Sequence, residues 1–159
     1  MKMTAPMEVG LTVSDLPRMR AFYETALGLR FVSEVHVPAD KAAEAAMSPV
    51  GYTAVRLQTP WGERVKLLAP DLPPRPRDDD EGMILAHQGA TYLTFIVDDI
   101  AATVGRVRAA GGRLLNREPV TEVRPGVFLS FLRDPEGHIL EIVSYADVAA
   151  YRADPEDAR

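Results

Sequence analysis

Gly126-Val127-Phe128-Leu129-Ser130-Phe131-Leu132-Arg133-Asp134-Pro135-Glu136-Gly137-His138-Ile139-Leu140-Glu141-Ile142-Val143 reads as a strand, an Asp-Pro-Glu-Gly turn and a second strand. The second strand carries one carboxylate, Glu141, in an otherwise apolar run. The pattern occurs twice. Gly51-Tyr52-Thr53-Ala54-Val55-Arg56-Leu57-Gln58-Thr59-Pro60-Trp61-Gly62-Glu63-Arg64-Val65-Lys66-Leu67-Leu68 matches it without a gap, setting Gly51 over Gly126, Pro60 over Pro135, Gly62 over Gly137 and Lys66 over Glu141. Val13-Ser14-Asp15-Leu16 and Val97-Asp98-Asp99-Ile100 repeat in the same way, so the duplication holds at the start of each module as well as at its end.

A chain of 159 residues fits one domain, here residues 1–159, built from two similar halves. We divide it into a module at 7–69, a Pro- and Asp-rich linker at 70–90, a module at 91–145 and a tail at 146–159. The net charge of −5 is spread along the chain, which leaves no basic patch for nucleic acid or an anionic membrane. With no cysteine, disulfides, thiolate nucleophiles and cysteine-bound zinc are all excluded. Residues 1–7 lack the apolar run of a signal peptide, and nothing approaches the roughly 20 apolar residues that span a bilayer. A cytoplasmic location is the expectation.

Glu8 to Val13 alternates, with Val9, Leu11 and Val13 on one face and Glu8, Gly10 and Thr12 on the other, as in a half-buried strand. Ser14 or Asp15 caps a helix that tolerates Pro17 in its first turn, carries Leu16, Met19, Phe22, Tyr23, Ala26 and Leu27 at helical spacing on the side it is expected to bury, and ends at Gly28. Leu29 to Val37 is a second strand, and Ala39 to Met47 a short alanine-rich helix with no counterpart in the second half. Pro70 to Gly82 is an extended linker whose acidic run, Asp78 to Glu81, is a solvated face. The second half repeats the programme: a strand at Thr91 to Val97, a helix capped by Asp98 and Asp99 and closed by Gly111 and Gly112, and a strand at Arg113 to Asn116. A loop at Pro119 to Pro125 and the closing hairpin follow. Ala146 to Tyr151 is a final short helix, and Arg152 to Arg159 frays.

Each half is therefore strand, helix, strand, strand, strand. This is an α+β architecture of two tandem βαβββ modules, whose four-stranded sheets are expected to curve around a central cleft.

In Val9-Gly10-Leu11-Thr12-Val13-Ser14-Asp15-Leu16, Ala21-Phe22-Tyr23-Glu24-Thr25-Ala26-Leu27-Gly28-Leu29 and Asp134-Pro135-Glu136-Gly137-His138-Ile139-Leu140-Glu141-Ile142 the chain resembles the vicinal-oxygen-chelate superfamily. That superfamily includes glyoxalase I, bleomycin- and fosfomycin-resistance proteins and extradiol dioxygenases. The resemblance runs from Glu8 to about Tyr145. It implies that metal-dependent relatives hold one divalent ion with side chains at four positions, which fall here on Glu8, Lys66, Tyr92 and Glu141. Relatives place His, Glu or Gln there, and only Glu141 fits that pattern comfortably. Protonated Lys66 has three donors and no lone pair, and its charge repels a cation. Tyr92 is a rare ligand that needs a deprotonated phenol. A lysine between two glutamates instead neutralises them without an ion. No cofactor is expected; a divalent metal on Glu8, Tyr92 and Glu141 is the alternative.

Strand alternation fixes the neighbours of these four. Thr12 accompanies Glu8; Arg64 accompanies Lys66; Thr94 accompanies Tyr92. With Val55 and Leu57 against the helix, Arg56 and Gln58 turn to the opposite face, and Phe131 and Arg133 are their counterparts. Arg56, Arg64, Lys66 and Arg133 suit a carboxylate, phosphate or enolate oxygen; the plainer reading pairs each with a neighbouring acid such as Glu8, Glu63 or Glu141. Glu8, Glu141 and Tyr92 suit acid and base steps next to a carbonyl, with Lys66 or an arginine in the electrophilic place of an ion, or else form a salt-bridge cluster. His138 is expected to be exposed and His87 to end the linker, while His36, on the second strand beside the alanine-rich helix, is the one histidine in reach of the pocket. Trp61 either stacks on a planar ligand or covers a neighbouring element.

The expectation is a small-molecule protein with a metal-independent pocket that binds an anionic, partly apolar compound or acts on it by acid and base groups. Its catalytic candidates are Glu8, Lys66, Tyr92 and Glu141, and its binding candidates Thr12, Arg56, Gln58, Arg64, Thr94, Phe131 and Arg133. The alternative is a divalent-metal lyase, isomerase or ring-cleaving dioxygenase. A homodimer is expected, since relatives commonly pair.

Overall fold

Apolar and polar residues alternate along Glu8–Thr12, and this segment is the first strand, β1, with Leu11 buried while Gly10 and Thr12 are exposed. The computed structural model describes residues 3–75, 83–86 and 88–151. The acidic run Asp78 to Glu81, His87 and the tail from Arg152 lie outside the described residues. The chain divides into two units: Met1–Gly82 with Pro135–Gly137, and Met83–Asp134 with His138–Arg159.

In the first unit, β1 is followed by α1 (Leu16–Leu27), β2 (Arg30–Val37), α2 (Ala39–Glu44), β3 (Tyr52–Gln58) and β4 (Arg64–Pro70). Asp15 caps α1, its Oδ1 accepting the Arg18 N–H at 3.1 Å, and Gly28 ends it in the left-handed conformation at φ 69°. The buried stripe of α1, Met19, Phe22, Tyr23 and Ala26, packs on β3 and β4, where Val55, Leu57 and Leu67 are fully buried, while Leu16 and Leu27, at the two ends of the helix, are only half-buried. The sheet order is β1-β4-β3-β2. β1 runs parallel to β4, with Glu8 opposite Arg64 and Gly10 opposite Lys66, and β4 runs antiparallel to β3, with Arg56 opposite Lys66 and Gln58 opposite Arg64. A register shift between Phe31 and Ser33 interrupts the pairing of β2 with β3.

The second unit holds a 3-10 turn (Ile84–Ala86), β5 (Tyr92–Ile96), α3 (Ile100–Ala109), β6 (Arg113–Leu114), β7 (Thr121–Arg124), β8 (Val127–Arg133), β9 (Ile139–Tyr145) and α4 (Val148–Tyr151). Asp99 caps α3, accepting the Ala102 N–H at 2.9 Å. α3 packs Val104 and Val107 on β8 and β9, where Leu132, Leu140 and Ile142 are fully buried. The order is β5-β9-β8-β6, and β5 runs parallel to β9 as β1 does to β4. The α+β class and the repeated strand, helix, strand, strand, strand plan are thus those of the sequence reading.

Two segments depart from it. Thr121–Arg124, expected as loop, is strand β7 and pairs with Leu129, Phe128 and Val127 of β8. The strand expected at Arg113 to Asn116 is shorter, Arg113–Leu114 pairing with the other end of β8, beyond which the Leu115 N–H donates to the Phe131 carbonyl at 2.9 Å and Asn116 Oδ1 accepts the Phe131 N–H at 2.7 Å. Two short strands therefore share one edge of β8, and Pro119 falls between them.

Candidate functional site

On the sheet face turned away from α1, β1, β3 and β4 bring Glu8, Arg56, Gln58, Arg64 and Lys66 together. Each of the four charged side chains there is about one-third exposed. Glu8 Oε1 lies 3.3 Å from Arg64 Nη1, and its Oε2 lies 3.6 Å from Lys66 Nζ and 4.0 Å from Arg56 Nε. Arg64 Nε donates to Gln58 Oε1 at 2.8 Å, so that guanidinium is held from two sides. Thr12 is exposed at the far end of β1, opposite Leu68.

On the corresponding face of the second unit, Thr94 Oγ1 donates to Glu141 Oε2 at 2.6 Å. Tyr92, 43 % exposed, packs edge-on against Phe131 with ring centroids 5.2 Å apart. Arg133 ends β8, opposite Ile139 of β9 and Arg113 of β6. Tyr145, at the end of β9, stacks on Tyr151 at 3.9 Å. Burial, then the hydrogen bond to Tyr151, pushes the Tyr145 phenol up to about 12.

Two readings of single residues change. His138 is not exposed: its Nδ1 lies 2.8 Å from the carboxylate of Asp134, which is itself buried. The turn that presents His138 also carries its backbone N–H onto Asp134 Oδ1, and this local closure draws the ring inward. Trp61 is 77 % exposed, so among the described residues it does not serve as the cover of a neighbouring element. His36 pairs with Asp71 at 3.1 Å.

A residue the sequence reading missed is Glu136. Its Oε2 accepts the Ser14 N–H and its Oε1 the Asp15 N–H, both at 2.7 Å, at the start of α1. The repeat held a signal for it: Glu136 occupies the position of Trp61 in the matching turn, so the two turns cannot play the same part.

The donor chemistry of the first unit does not fit a divalent cation. Glu8 is its one candidate ligand at the positions implied by the resemblance, and three cations already surround that carboxylate. Among the described residues no group of three or more His, Cys, Asp or Glu side chains gathers as an ion site.

Comparison with known proteins agrees with this architecture. Residues 6–142 match the Glyoxalase/Bleomycin resistance protein/Dioxygenase superfamily. The "Probable lactoylglutathione lyase" of Vibrio parahaemolyticus is 25% identical over 146 residues, covering 88% of this chain and 90% of that protein. The crystal structure of a glyoxalase family protein from Bacillus cereus superposes with a TM-score of 0.77 at 22% identity, covering 92% of this chain and 97% of the other. A glyoxylase/bleomycin resistance protein/dioxygenase domain from Frankia sp. EAN1pec superposes with a TM-score of 0.67 at 18% identity, covering 95% and 100%. With the match spanning both modules and the solved folds coinciding over nearly the whole length, the chain belongs to the glyoxalase/bleomycin resistance protein/dioxygenase superfamily.

Proposed function

We propose that this chain is a metal-independent small-molecule protein of its superfamily that recognises an anionic, partly apolar compound. The observation that carries the reading is the face built by β1, β3 and β4, where one carboxylate, Glu8, faces Arg56, Arg64 and Lys66. Three cations against one anion leave two positive charges, which attract a carboxylate, phosphate or enolate oxygen. Within the second unit, Tyr92 and Phe131 form an aromatic pair of a kind that suits an apolar group. Glu141, held by a hydrogen bond from Thr94, is our candidate for the proton-moving group if a compound is transformed as well as held. Dimerisation and a cytoplasmic location belong to the same proposal.

A second reading has one observation in its favour, the name of the Vibrio relative, which is called a lyase of lactoylglutathione. It makes this chain a metal-dependent lyase, and the cations around Glu8 speak against it.

Elemental analysis of protein purified without a histidine tag, with thermal melts before and after chelation, separates the two. The proposal expects no stoichiometric ion, an unchanged melt, and binding of benzoate in preference to benzamide. A stoichiometric divalent ion whose removal lowers the melting temperature overturns it. If binding is established, Glu141→Gln that retains affinity and abolishes turnover identifies an enzyme.

A further inference from the structure

We infer that Glu8 is a built-in stand-in for the acid group of the ligand, and that Arg56 and Lys66 close on an incoming oxyanion that displaces its Oε2 from between them. The inference rests on the anionic-ligand reading above and deepens it. Arg56 and Lys66 are directly opposite each other on β3 and β4, so two like charges abut on one face of the sheet. Such a pair is unfavourable unless an anion lies between its members. The anion there is one oxygen, Glu8 Oε2, and it serves both poorly: 3.6 Å to Lys66 Nζ and 4.0 Å to Arg56 Nε are ion-pair separations, beyond hydrogen-bond length. Among the described residues neither cation has a hydrogen-bond partner.

Arg64 differs. It is held at Glu8 Oε1 and at Gln58 together, so it positions the carboxylate and has less to offer a ligand. Glu8 is thus anchored through one oxygen and loosely engaged through the other. An oxyanion that accepts hydrogen bonds from Lys66 and Arg56 replaces two long contacts with short charge-assisted bonds, while Glu8 Oε1 keeps its hold on Arg64. At about one-third exposure the cations are reachable from solvent yet screened less than free side chains. The shared chemistry is an aryl or alkyl oxyanion, and the surplus of two positive charges favours a doubly charged head.

The test is calorimetric titration of wild type, Glu8→Gln and Lys66→Met with phenyl phosphate and with benzoate. Removing the internal competitor is expected to tighten both probes about tenfold, and Lys66→Met to weaken them by at least as much. Tighter phenyl phosphate assigns a phosphate-like head, tighter benzoate a carboxylate, and either supports the inference. Glu8→Gln that weakens binding while Lys66→Met also weakens it makes Glu8 a direct ligand contact, which overturns the stand-in role and leaves the anionic reading intact. Lys66→Met without effect, or no binding of either probe to wild type and Glu8→Gln, overturns the anionic reading itself. A crystal of wild type with phenyl phosphate needs no variant: the Glu8 Oε2 to Lys66 Nζ distance is expected to open beyond about 4 Å, the limit of an ion pair. A bound probe with that pair unchanged overturns the inference.

Discussion

The Glu136 carboxylate receives the backbone N–H of Ser14 at 2.7 Å, with Asp15 on its other oxygen at the same distance. A charge at the start of α1 meets both the unpaired N–H groups and the positive end of the helix dipole. Glu136→Gln keeps the shape and loses the charge, and we expect it to lower stability by about 1–2 kcal/mol, read from urea denaturation. An unchanged midpoint would show that the contact contributes nothing.

Ser130 is fully buried in β8, and its Oγ has no hydrogen-bond partner among the described residues. A buried hydroxyl without a partner loses its hydration and gains nothing in return. Ser130→Ala is expected to raise stability by about 1 kcal/mol. A loss of stability in the same denaturation experiment would mean that the hydroxyl is engaged in solution.

The short Thr94 to Glu141 bond fixes the carboxylate on which the acid–base form of the proposal depends. Thr94→Val, nearly equal in shape, is expected to cost about 1 kcal/mol. Thr94→Ser, which keeps the hydroxyl, should retain most of that. Equal losses in both variants would assign the effect to packing of the methyl group.

Tyr145 supplies a pH dependence. Its folded-state pKa stands at about 12 against an ordinary 10.0, so the neutral phenol is favoured by the fold. The resulting stability is complete below pH 10.0 and is lost as pH rises through about 12. A titration of tyrosinate absorbance in wild type minus that in Tyr145→Phe should show a step near the upper value; a step near the lower one sinks the assignment.

The parts of the fold that were legible in sequence are those where a local pattern and a burial pattern coincide. Alternation in Glu8–Thr12, capping by Asp15 and Asp99, the left-handed Gly28 and the inward Val55 and Leu57 all express backbone chemistry within a few residues. The same alternation placed Glu8, Arg56, Arg64 and Lys66 on one face, because strand parity carries across a hairpin of known register. Thr121–Arg124 was illegible: its four residues are all exposed and stand between prolines, and only the distant edge of β8 makes them a strand. The bonds from Gln58 to Arg64 and from Glu136 to Ser14 depend on rotamers and on a turn's reach, which no spacing rule encodes.

The parallel pairing of β1 with β4 also has a bearing on the order of folding. Gln58 and Arg64 are six residues apart across a tight turn, while Glu8 meets Arg64 across 56. In the second unit Thr94 meets Glu141 across 47. Closing the longer loops costs more chain entropy, so the hairpins can assemble early and the opening strand of each half docks last. Until it does, Arg56 and Lys66 stand side by side with no carboxylate between them, and the repulsion is relieved only in the final step. The charge cluster thereby rewards completion of the sheet, and a chain stalled before that step displays an uncompensated cationic hairpin.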